Sequence, residues 1–474
     1  MKESKINNEP VYYDYKGHFP PSPLETGRPA AIPSLSARTH PKRITDTTLR
    51  DGSQDPCFAL FPHEIKLRYY DLLHELDNGT GRIENVEVFI YQKRDQWVLE
   101  KLLERGYEYP QVTTWTRATP KDIKLLVELS KGRIKETGML ASASDHHIFD
   151  KLKYSSKEMA IEKYLIPIMT ALENGIRPRV HLEDTTKADI SGWVIPFMKR
   201  VMEETKGLAC FRVCDTMGWG VPDPYAAPPT GIPKLISMLY EETGAELEFH
   251  GHNDFGLATA NSIAAWIYGC NRVNTAFASM GERTGNTSLE QMVAAMVRFY
   301  GNPGLNLGVL AEITKLIHAE VYPVSSKAPL IGGGIFTTQA GLHQTGVERQ
   351  AEAPGGLIYL PYSPELVGRE QVELHRIGGL TGMEGVVAIL NQELEAAGEK
   401  RRHTMVSRTA KLIYDKVHDE YDGTWDEEQK RNVNPRTTFF EPHELSEISK
   451  ELEGRSGHGT EVRNQNFAEL EKAL

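Results

Sequence analysis

The sequence predicts an α/β fold in which eight parallel strands alternate with helices and close into a (β/α)8 barrel. Two observations predict it. Eight short segments rich in β-branched and aromatic residues recur between residues 43 and 278, and helix-like stretches separate them. No G-x-G-x-x-G turn follows the first predicted strand, which disfavours a doubly wound sheet, the alternative α/β architecture. The expected fold is therefore a TIM barrel.

The predicted strands are short, and most end in polar residues. They are RITDTTL (43–49), IENVEVFIY (83–91), QVTTWT (111–116), IKETGML (134–140), RVHLED (179–184), CFRVCD (210–215), LEFHGH (247–252) and RVNTAFA (272–278). Helical patterns between or after them include HEIKLRYYDLLHEL (63–76), PKDIKLLVELSKG (120–132) and SLEQMVAAMVRFYG (288–301). Regular alternation of the two element types is what a parallel barrel requires.

Changes in composition and in the predicted elements along the chain divide it into four segments. Residues 1–41 are polar and proline-rich and are expected to form an N-terminal arm, and residues 42–305 carry the barrel. Residues 306–400 are expected to form a lid or linker subdomain, helical over 306–322 and 363–398, with a mobile glycine-rich stretch at 332–346. Residues 401–474 are charged and predict a C-terminal helical extension.

The composition limits the possible partners and the compartment. The chain has 54 Lys and Arg against 65 Asp and Glu, and a net charge of −11 argues against a nucleic acid or an anionic membrane as the main partner. The N-terminus has no signal peptide, and no apolar run approaches the ~18 residues of a membrane span. Four scattered cysteines suit a reducing compartment. A cytoplasmic protein is expected.

Polar residues cluster at the carboxyl ends of the predicted strands, where barrel sites form. Arg50, Asp51 and Gln54 follow the first strand, and Glu183 and Asp184 end the fifth. An RDG sequence by itself is most often a salt-bridged turn. Its position at a strand end is what makes it a candidate.

The seventh strand adds His250 and His252, which are two residues apart and therefore point to the same face. Two histidines and a carboxylate from another strand suit a divalent metal, although HxH can also be two surface histidines. Asp215 and Thr216 end the sixth strand, and GERTGNTSLE after the eighth contains Asn286. The occurrence of such polar residues at several strand ends together favours a metal site.

Three of these motifs carry a resemblance to a known family. TTLRDGSQ, HGHNDFGLATANS and GERTGNTSLE are similar to motifs of the DRE-TIM metallolyase superfamily, especially its Claisen-condensing branch of isopropylmalate, homocitrate and Re-type citrate synthases. The resemblance covers roughly residues 42–380. It implies an enzyme that joins an acyl-CoA to a 2-oxo acid and depends on a divalent metal, Mn²⁺ first and Mg²⁺, Co²⁺ or Zn²⁺ as alternatives.

The resemblance also implies roles for individual residues. The implied metal ligands are Asp51, His250, His252 and, as a ligand or close neighbour, Asn286. Arg50 is implied to stabilise the enolate of acetyl-CoA, and Glu183 is the first candidate for the general base. His343 in GLHQTG and Tyr359 in YLP match residues that reach the site from beyond the barrel, often that of a neighbouring protomer. A homodimer is therefore expected, unless these two are merely a loop histidine and a packed tyrosine.

The substrate prediction depends on Arg179. It lies four residues before Glu183, on the same strand face, and matches an arginine that binds a substrate carboxylate in homocitrate synthases. A guanidinium there suits a dicarboxylic oxo acid. The alternative is a strand-end salt bridge to Asp184 or Asp215. Gln54, Thr216 and His147 are the other predicted substrate-binding residues, although His146 beside His147 leaves that choice open.

Two differences from related enzymes narrow the choice among candidate reactions. Ala118 and Thr119 follow Arg117 where homocitrate synthases have Cys-His, and the tail lacks the leucine-feedback domain of many isopropylmalate synthases. The favoured substrates are therefore acetyl-CoA and oxaloacetate, as in Re-type citrate synthases, with the homocitrate and isopropylmalate reactions as alternatives. A carbon–carbon lyase like hydroxymethylglutaryl-CoA lyase is disfavoured because no cysteine follows Cys270. A non-catalytic barrel is disfavoured because no predicted ligand is lost.

Overall fold

The structure, a computed structural model, describes residues 41–350 and 358–456. The contacts divide the chain into two compact units, one up to Gly332 and one from Gly333 onward. The sequence instead places boundaries after residues 305 and 400. Nearly all of the predicted N-terminal arm and the last part of the predicted C-terminal extension lie outside the described residues.

The first unit is a closed barrel of eight parallel strands, paired in chain order with the first strand against the eighth. The strands are β1 (Arg43–Asp46), β2 (Ile83–Val88), β3 (Gln111–Thr116), β4 (Glu136–Ser142), β5 (Arg177–Glu183), β6 (Cys210–Asp215), β7 (Leu247–Gly251) and β8 (Arg272–Thr275). Each overlaps its predicted segment, so the predicted TIM barrel is confirmed.

Helices cover the outside of the barrel. They are α1 (His63–Asp77), α2 (Lys93–Glu104), α3 (Pro120–Ser130), α4 (Lys157–Glu173), α5 (Ile195–Glu204), α6 (Ile232–Thr243), α7 (Ala258–Ile267), α8 (Leu289–Tyr300) and α9 (Val309–Glu320). Local sequence sets their starts: the side chains of Thr119 and Ser156 accept backbone N–H groups at the first turns of α3 and α4. Because α9 packs on α1, it belongs to the barrel unit.

The strands alternate apolar and polar residues. On β5, Val180 and Leu182 are fully buried among apolar neighbours, whereas Arg179 and His181 make polar contacts. A period of two assigns these pairs to opposite faces, the helix-facing layer and the barrel interior. On β6 and β7 the same alternation places charged residues on the inner face of the barrel.

The charged interior departs from the branched apolar filling usual in such barrels. Directly paired positions on β5 to β8 are His181, Arg212, Glu248 and Arg272. Arg212 Nε lies 2.7 Å from Glu248 Oε2, and Arg212 is fully buried. Opposite charges therefore alternate along this layer, which is how buried charges are tolerated.

Glu87 on β2 joins this layer to the first strand. Its carboxylate is fully buried and pairs with Arg50 (Nε–Oε2 2.7 Å), Arg212 (Nη1–Oε1 3.1 Å) and Arg179. Burial alone would raise the pKa of Glu87, but the three guanidinium groups hold it well below the usual range. Glu87 is therefore an ionised carboxylate surrounded by cations.

The second unit is mostly helical, with an antiparallel hairpin that the sequence did not predict. Its elements are α10 (Gly341–Arg349), α11 (Met383–Ala396), α12 (Arg408–Asp422), β9 (Thr424–Asp426), β10 (Arg431–Val433) and α13 (Pro442–Ser456). Apolar residues of α11, α12 and α13 form one core that includes Val386, Ile413 and Leu445. This core spans the boundary that the sequence placed at residue 400. Within the described residues, no helix is both long and apolar enough to span a membrane.

Replacing Glu87 with Ala should destabilise the barrel by about 3–5 kcal/mol, because removal of one partner leaves buried charges uncompensated. The fall in Tm, followed by circular dichroism, measures the loss. Glu75→Ala is the control, since Glu75 pairs with Arg68 at 3.5 Å on the surface with both side chains about half exposed. That variant should cost below about 1 kcal/mol. Equal losses in the two variants would contradict the role assigned to Glu87.

Candidate active site

Three buried side chains converge at the carboxyl ends of β1 and β7. His250 is the next-to-last residue of β7, His252 follows two residues later, and Asp51 lies in the turn after β1. The Nε2 atoms of the two histidines are 3.2 Å apart, and His250 Nε2 is 3.9 Å from Asp51 Oδ2. One donor atom from each residue lies within 4.8 Å of the others. The sequence-predicted ligands are thus brought together.

The protonation states of these groups suit a cation. Burial lowers the pKa of His250 and of His252, so both rings are neutral and keep a lone pair. Burial would raise the pKa of Asp51, but the Arg50 guanidinium beside it holds that pKa below its usual range. Metal ligands must be deprotonated, and these three are.

Hydrogen bonds orient the same groups toward one point. Asn274 donates through Nδ2 to Thr45, so its Oδ1, 2.8 Å from His250 Nδ1, accepts from that nitrogen and leaves Nε2 unprotonated. Asp51 Oδ2 and Asn286 Oδ1 are buried and have no hydrogen-bond partner among the described residues. Buried oxygen acceptors without a hydrogen-bond partner, next to two imidazole rings, fit a divalent metal.

Two glycines of the GERTGN loop place Asn286. A Cβ at Gly281 would lie 2.2 Å from Asn286 Nδ2, and one at Gly285 would lie 1.7 Å from Ser279 O. Both glycines have positive φ, 149° and 85°. The tight loop lets Asn286 pair with His252 through a backbone bridge, while its Nδ2 donates to Met280 O at 2.8 Å. Asn286 therefore lies beside the ligands, as predicted.

Arg50 lies next to this cluster. Its Nε donates to Glu87 at 2.7 Å and its Nη1 to Asp51 at 3.0 Å, and its guanidinium lies 5.7 Å from the centre of the Trp115 ring. Only 8% of Arg50 is exposed. A guanidinium fixed in a nearly dry pocket can stabilise negative charge that develops beside it, without reorganisation.

Glu183 ends β5, where several donors hold its carboxylate. Oε2 accepts from Ser142 Oγ at 2.6 Å, His147 Nδ1 at 2.9 Å and Lys151 Nζ at 3.0 Å, and Oε1 accepts from Lys151 at 2.9 Å. Burial opposes ionisation, but the hydrogen bonds outweigh it and lower the pKa of Glu183 to about 2. In this arrangement Glu183 is a firmly held carboxylate and a weak base.

Strand register locates Glu183 relative to the histidines. Leu182 pairs with Val213, and Cys214 pairs with His250. Glu183 is therefore level with Cys214 and two strands from His250, which places their backbones about 10 Å apart along the wall. That separation accommodates a small substrate between them.

The remaining predicted pocket residues differ in their surroundings. His147 Nε2 lies 3.6 Å from Asp184 Oδ2, so two carboxylates flank this ring. Thr216 Oγ1 accepts the backbone N–H of Asp184 at 2.8 Å. Gln54 ends a short 3₁₀ helix, Gly52–Gln54, and its side chain is exposed.

Arg179 lies inside the barrel and is held by carboxylates. It is fully buried, and its donors face the carboxylates of Glu136 (2.7 Å) and Glu87 and the Nε2 of His181 (3.2 Å). Arg179 is the third residue of β5, about 13 Å below Glu183 along the strand, and its role in binding substrate stays a prediction. The alternative, a salt bridge to Asp184 or Asp215, is wrong, because the carboxylate partners of Arg179 are Glu87, Glu136 and Glu248.

His343 and Tyr359 lie together in the second unit. Their rings stack with centroids 4.3 Å apart and planes 21° from parallel, and both side chains are exposed. Gly346 permits this contact, because a Cβ there would lie 3.2 Å from Tyr359 Cβ. The two predicted residues therefore form one exposed pair.

Sequence reasoning missed four contributors. Glu87 and Asn274 hold Arg50 and His250, and Ser142 and Lys151 hold Glu183. Glu87, which has Val86 and Val88 on either side in the strand segment IENVEVFIY, was a signal for the first. The others needed knowledge of which strand ends are neighbours.

A barrel whose strand ends present a candidate metal site with an arginine beside it is typical of a class of metal-dependent enzymes. The chain belongs to the HMGL-like family, which residues 42–317 match. This confirms the resemblance to DRE-TIM proteins.

Three relatives are informative. Citrate (Re)-synthase of Clostridium kluyveri is 40% identical over 359 residues, 73% of this chain and 76% of the relative. Citrate (Re)-synthase of Syntrophus aciditrophicus is 34% identical over 385 residues, 78% of this chain but only 59% of the relative. The 2-phosphinomethylmalate synthase of Streptomyces hygroscopicus is 32% identical over 413 residues, 83% of this chain and 88% of the relative. The prediction of a condensing synthase that uses an acyl-CoA and a 2-oxo acid is confirmed.

Asp51→Ala should remove bound metal and activity together, because it deletes a buried anionic ligand. Arg50→Ala should keep the metal and lower kcat about 10²–10³-fold, as loss of one preorganised donor does. Elemental analysis of purified protein gives the metal content. Asp254→Ala is the control, since that carboxylate belongs to the same segment but pairs with Arg283. Metal loss from Arg50→Ala would show that its assigned role is wrong.

Proposed function

We propose that this protein is a Re-type citrate synthase, which condenses acetyl-CoA with oxaloacetate to give citrate and CoA. The observation that carries the chemistry is Arg50, held between Asp51 and Glu87 beside the metal-ligand cluster. Support for oxaloacetate comes from the two citrate (Re)-synthases that match about three quarters of this chain.

The proposed metal would be held by Asp51, His250 and His252, with Asn286 Oδ1 as a further oxygen donor. When bound, a divalent ion, for which Mn²⁺ is our first choice, chelates a 2-oxo acid through its carboxylate and keto oxygens and polarises the carbonyl. Oxygen and imidazole ligands also suit Mg²⁺, Co²⁺ and Zn²⁺.

The protein side chains then act on acetyl-CoA. A base takes a proton from the methyl carbon, and the electron pair passes to the thioester oxygen, where Arg50 stabilises the enolate. The candidates for the base are Glu183 and the His343–Tyr359 pair. The enolate carbon attacks the keto carbon, and water then cleaves the thioester to release CoA. We further propose a cytoplasmic homodimer in which His343 and Tyr359 serve the partner's barrel.

CoA release with a panel of oxo acids tests the proposed substrate. Purified enzyme with Mn²⁺ and acetyl-CoA should release thiol with oxaloacetate at least about tenfold faster than with 2-oxoglutarate or 2-oxoisovalerate, and citrate should appear in equal amount. Arg50→Ala gives the background. A clear preference for 2-oxoglutarate would favour homocitrate synthesis, and release with none of the acids by metal-loaded protein would exclude a synthase.

Mixing two inactive variants tests the proposed sharing between protomers. Asp51→Ala lacks the metal site and His343→Ala lacks the exposed histidine, so each alone should be nearly inactive. After equal amounts of the two are mixed and re-associated, about half of the dimers should be mixed, and each mixed dimer has one intact site of two. The mixture should therefore recover up to about a quarter of wild-type activity. Failure to recover activity, with mixed dimers confirmed by differential tags, would show that each barrel uses its own His343 or none.

A further inference from the structure

The backbone shortly after β8 is strained. Ala278 has φ 51° and ψ 27°, and Ser279 has φ 57°, so two successive residues that carry a Cβ lie in the left-handed region. That region costs free energy for residues other than glycine. Strained backbone of this kind persists only where surrounding groups hold it, and it is concentrated at functional sites. The strained turn, Ala278–Ser279, therefore needs support from its surroundings.

The strained turn sets the position of Asn286. Ser279 O accepts the backbone N–H of Asn286 at 3.0 Å, and the next carbonyl, Met280 O, accepts from its Nδ2 at 2.8 Å. Because Nδ2 is used in this way, Oδ1 is the side-chain atom left over, and it has no hydrogen-bond partner among the described residues. Asn286 is also fully buried. Both its place and the direction of its amide therefore depend on the carbonyls of residues 279 and 280.

Two side chains from outside this loop bind the backbone of Ala278. Tyr322, two residues after the end of α9, donates its hydroxyl to Ala278 O at 3.1 Å. Glu290, the second residue of α8, accepts the N–H of Ala278 through Oε2 at 3.0 Å. The N–H and the C=O of one strained residue are thus both fixed by side chains that belong to other elements. These two contacts supply the support that the strained turn needs.

Tyr322 is itself held by the loop after β1, the loop that carries Asp51. Its ring packs against that of Phe58, with centroids 5.9 Å apart and planes 31° from parallel. In the same loop, Asp55 Oδ2 accepts the N–H of Gly281 at 3.1 Å. Replacing Tyr322 with Phe removes the hydroxyl and leaves the ring to pack as before. That substitution therefore isolates the hydrogen bond to the strained turn.

We propose that Tyr322 and Glu290 are positioning residues for the metal centre. By holding Ala278 in the left-handed region, they keep Asn286 Oδ1 beside the other candidate ligands, where it binds the metal. The proposal rests on the proposed function, in which Asn286 is a metal ligand. Without either support the strained turn relaxes, and the carbonyls that hold Asn286 move with it. The metal then keeps three protein ligands instead of four and binds more weakly.

Titration of the metal-free, full-length protein with Mn²⁺ tests this without catalysis, because the EPR signal of free Mn²⁺ gives the Kd. Tyr322→Phe should weaken Mn²⁺ binding at least about tenfold, as loss of a contact that orients a ligand does. Tyr107→Phe is the matched control, since that hydroxyl donates to Asp71 at 3.1 Å in the loop between α2 and β3, at the opposite end of the barrel. Its Kd should equal that of the wild type. An unchanged Kd in Tyr322→Phe would refute the proposal.

Ala278→Gly provides a rescue that a general loss of stability would not show. Glycine adopts the left-handed region without cost, so Ala278→Gly alone should bind Mn²⁺ as the wild type does. The double variant Ala278→Gly/Tyr322→Phe should return to within about threefold of the wild-type Kd, because its turn stays left-handed without the hydroxyl. If the double variant folds, as judged by circular dichroism, and binds no better than Tyr322→Phe, then Tyr322 does not act by holding the strained turn.

A background that lacks Asn286 identifies the group through which Tyr322 acts. Asn286→Ala should itself weaken Mn²⁺ binding, and adding Tyr322→Phe should then change the Kd less than about twofold, because the positioned side chain is gone. The full effect of Tyr322→Phe in that background would show that it reaches the metal by another route. A wild-type Kd in Asn286→Ala would remove the premise that this side chain is a ligand and refute the proposal.

Two substitutions of Glu290 test the second support. Glu290→Gln keeps an oxygen that can accept the N–H of Ala278 and should keep the wild-type Kd, whereas Glu290→Met removes the acceptor and should behave like Tyr322→Phe. Equal Kd values in the two variants would exclude Glu290 from the proposed role. A wild type that binds Mn²⁺ but forms no citrate would end the proposed function and leave these comparisons valid. A wild type that binds no Mn²⁺ would refute the positioning role directly.

Discussion

The buried carboxylate of Glu87 is the constraint on which the rest of the barrel depends. It accepts from three guanidinium groups, those of Arg50, Arg179 and Arg212, at a position with no access to water. Removing two or more charges from water is costly unless each has a close partner. Every cation of the barrel interior must therefore be matched, and the sequence meets this with Glu136 and Glu248 on other strands.

Glu87 also fixes side chains at the carboxyl ends of the strands, which form the mouth of the barrel. Arg50 is fixed at one end by Glu87 and at the other by Asp51, whose second oxygen faces the histidines. The orientation of the metal-ligand cluster and that of the arginine beside it are thus set by one chain of contacts. An arginine in a loop without such support would have a more mobile guanidinium. A preorganised charge stabilises a developing enolate better than a mobile one.

The sequence sufficed where the signal was local and periodic. All eight strands were predictable because their apolar alternation and strand-end motifs lie within a few residues, and so was the His250–His252 pair, whose spacing fixes a common face. The carboxylate partners of Arg179 could not be predicted, because spacing gives the face of a strand and not the depth along it. Asn274 and Lys151 were missed because their partners lie on other strands, and the β9–β10 hairpin because it has only three residues a side.

Net charge explains why so few cations serve the substrate. The chain carries −11, yet its barrel interior holds Arg179, Arg212 and Arg272, all nearly or fully buried. Their charge is neutralised by carboxylates within hydrogen-bond distance, so little of it reaches an anionic ligand. Attraction for an anionic substrate must then come from groups at the mouth of the barrel. Arg50, which lies beside the candidate metal ligands, is one of these groups.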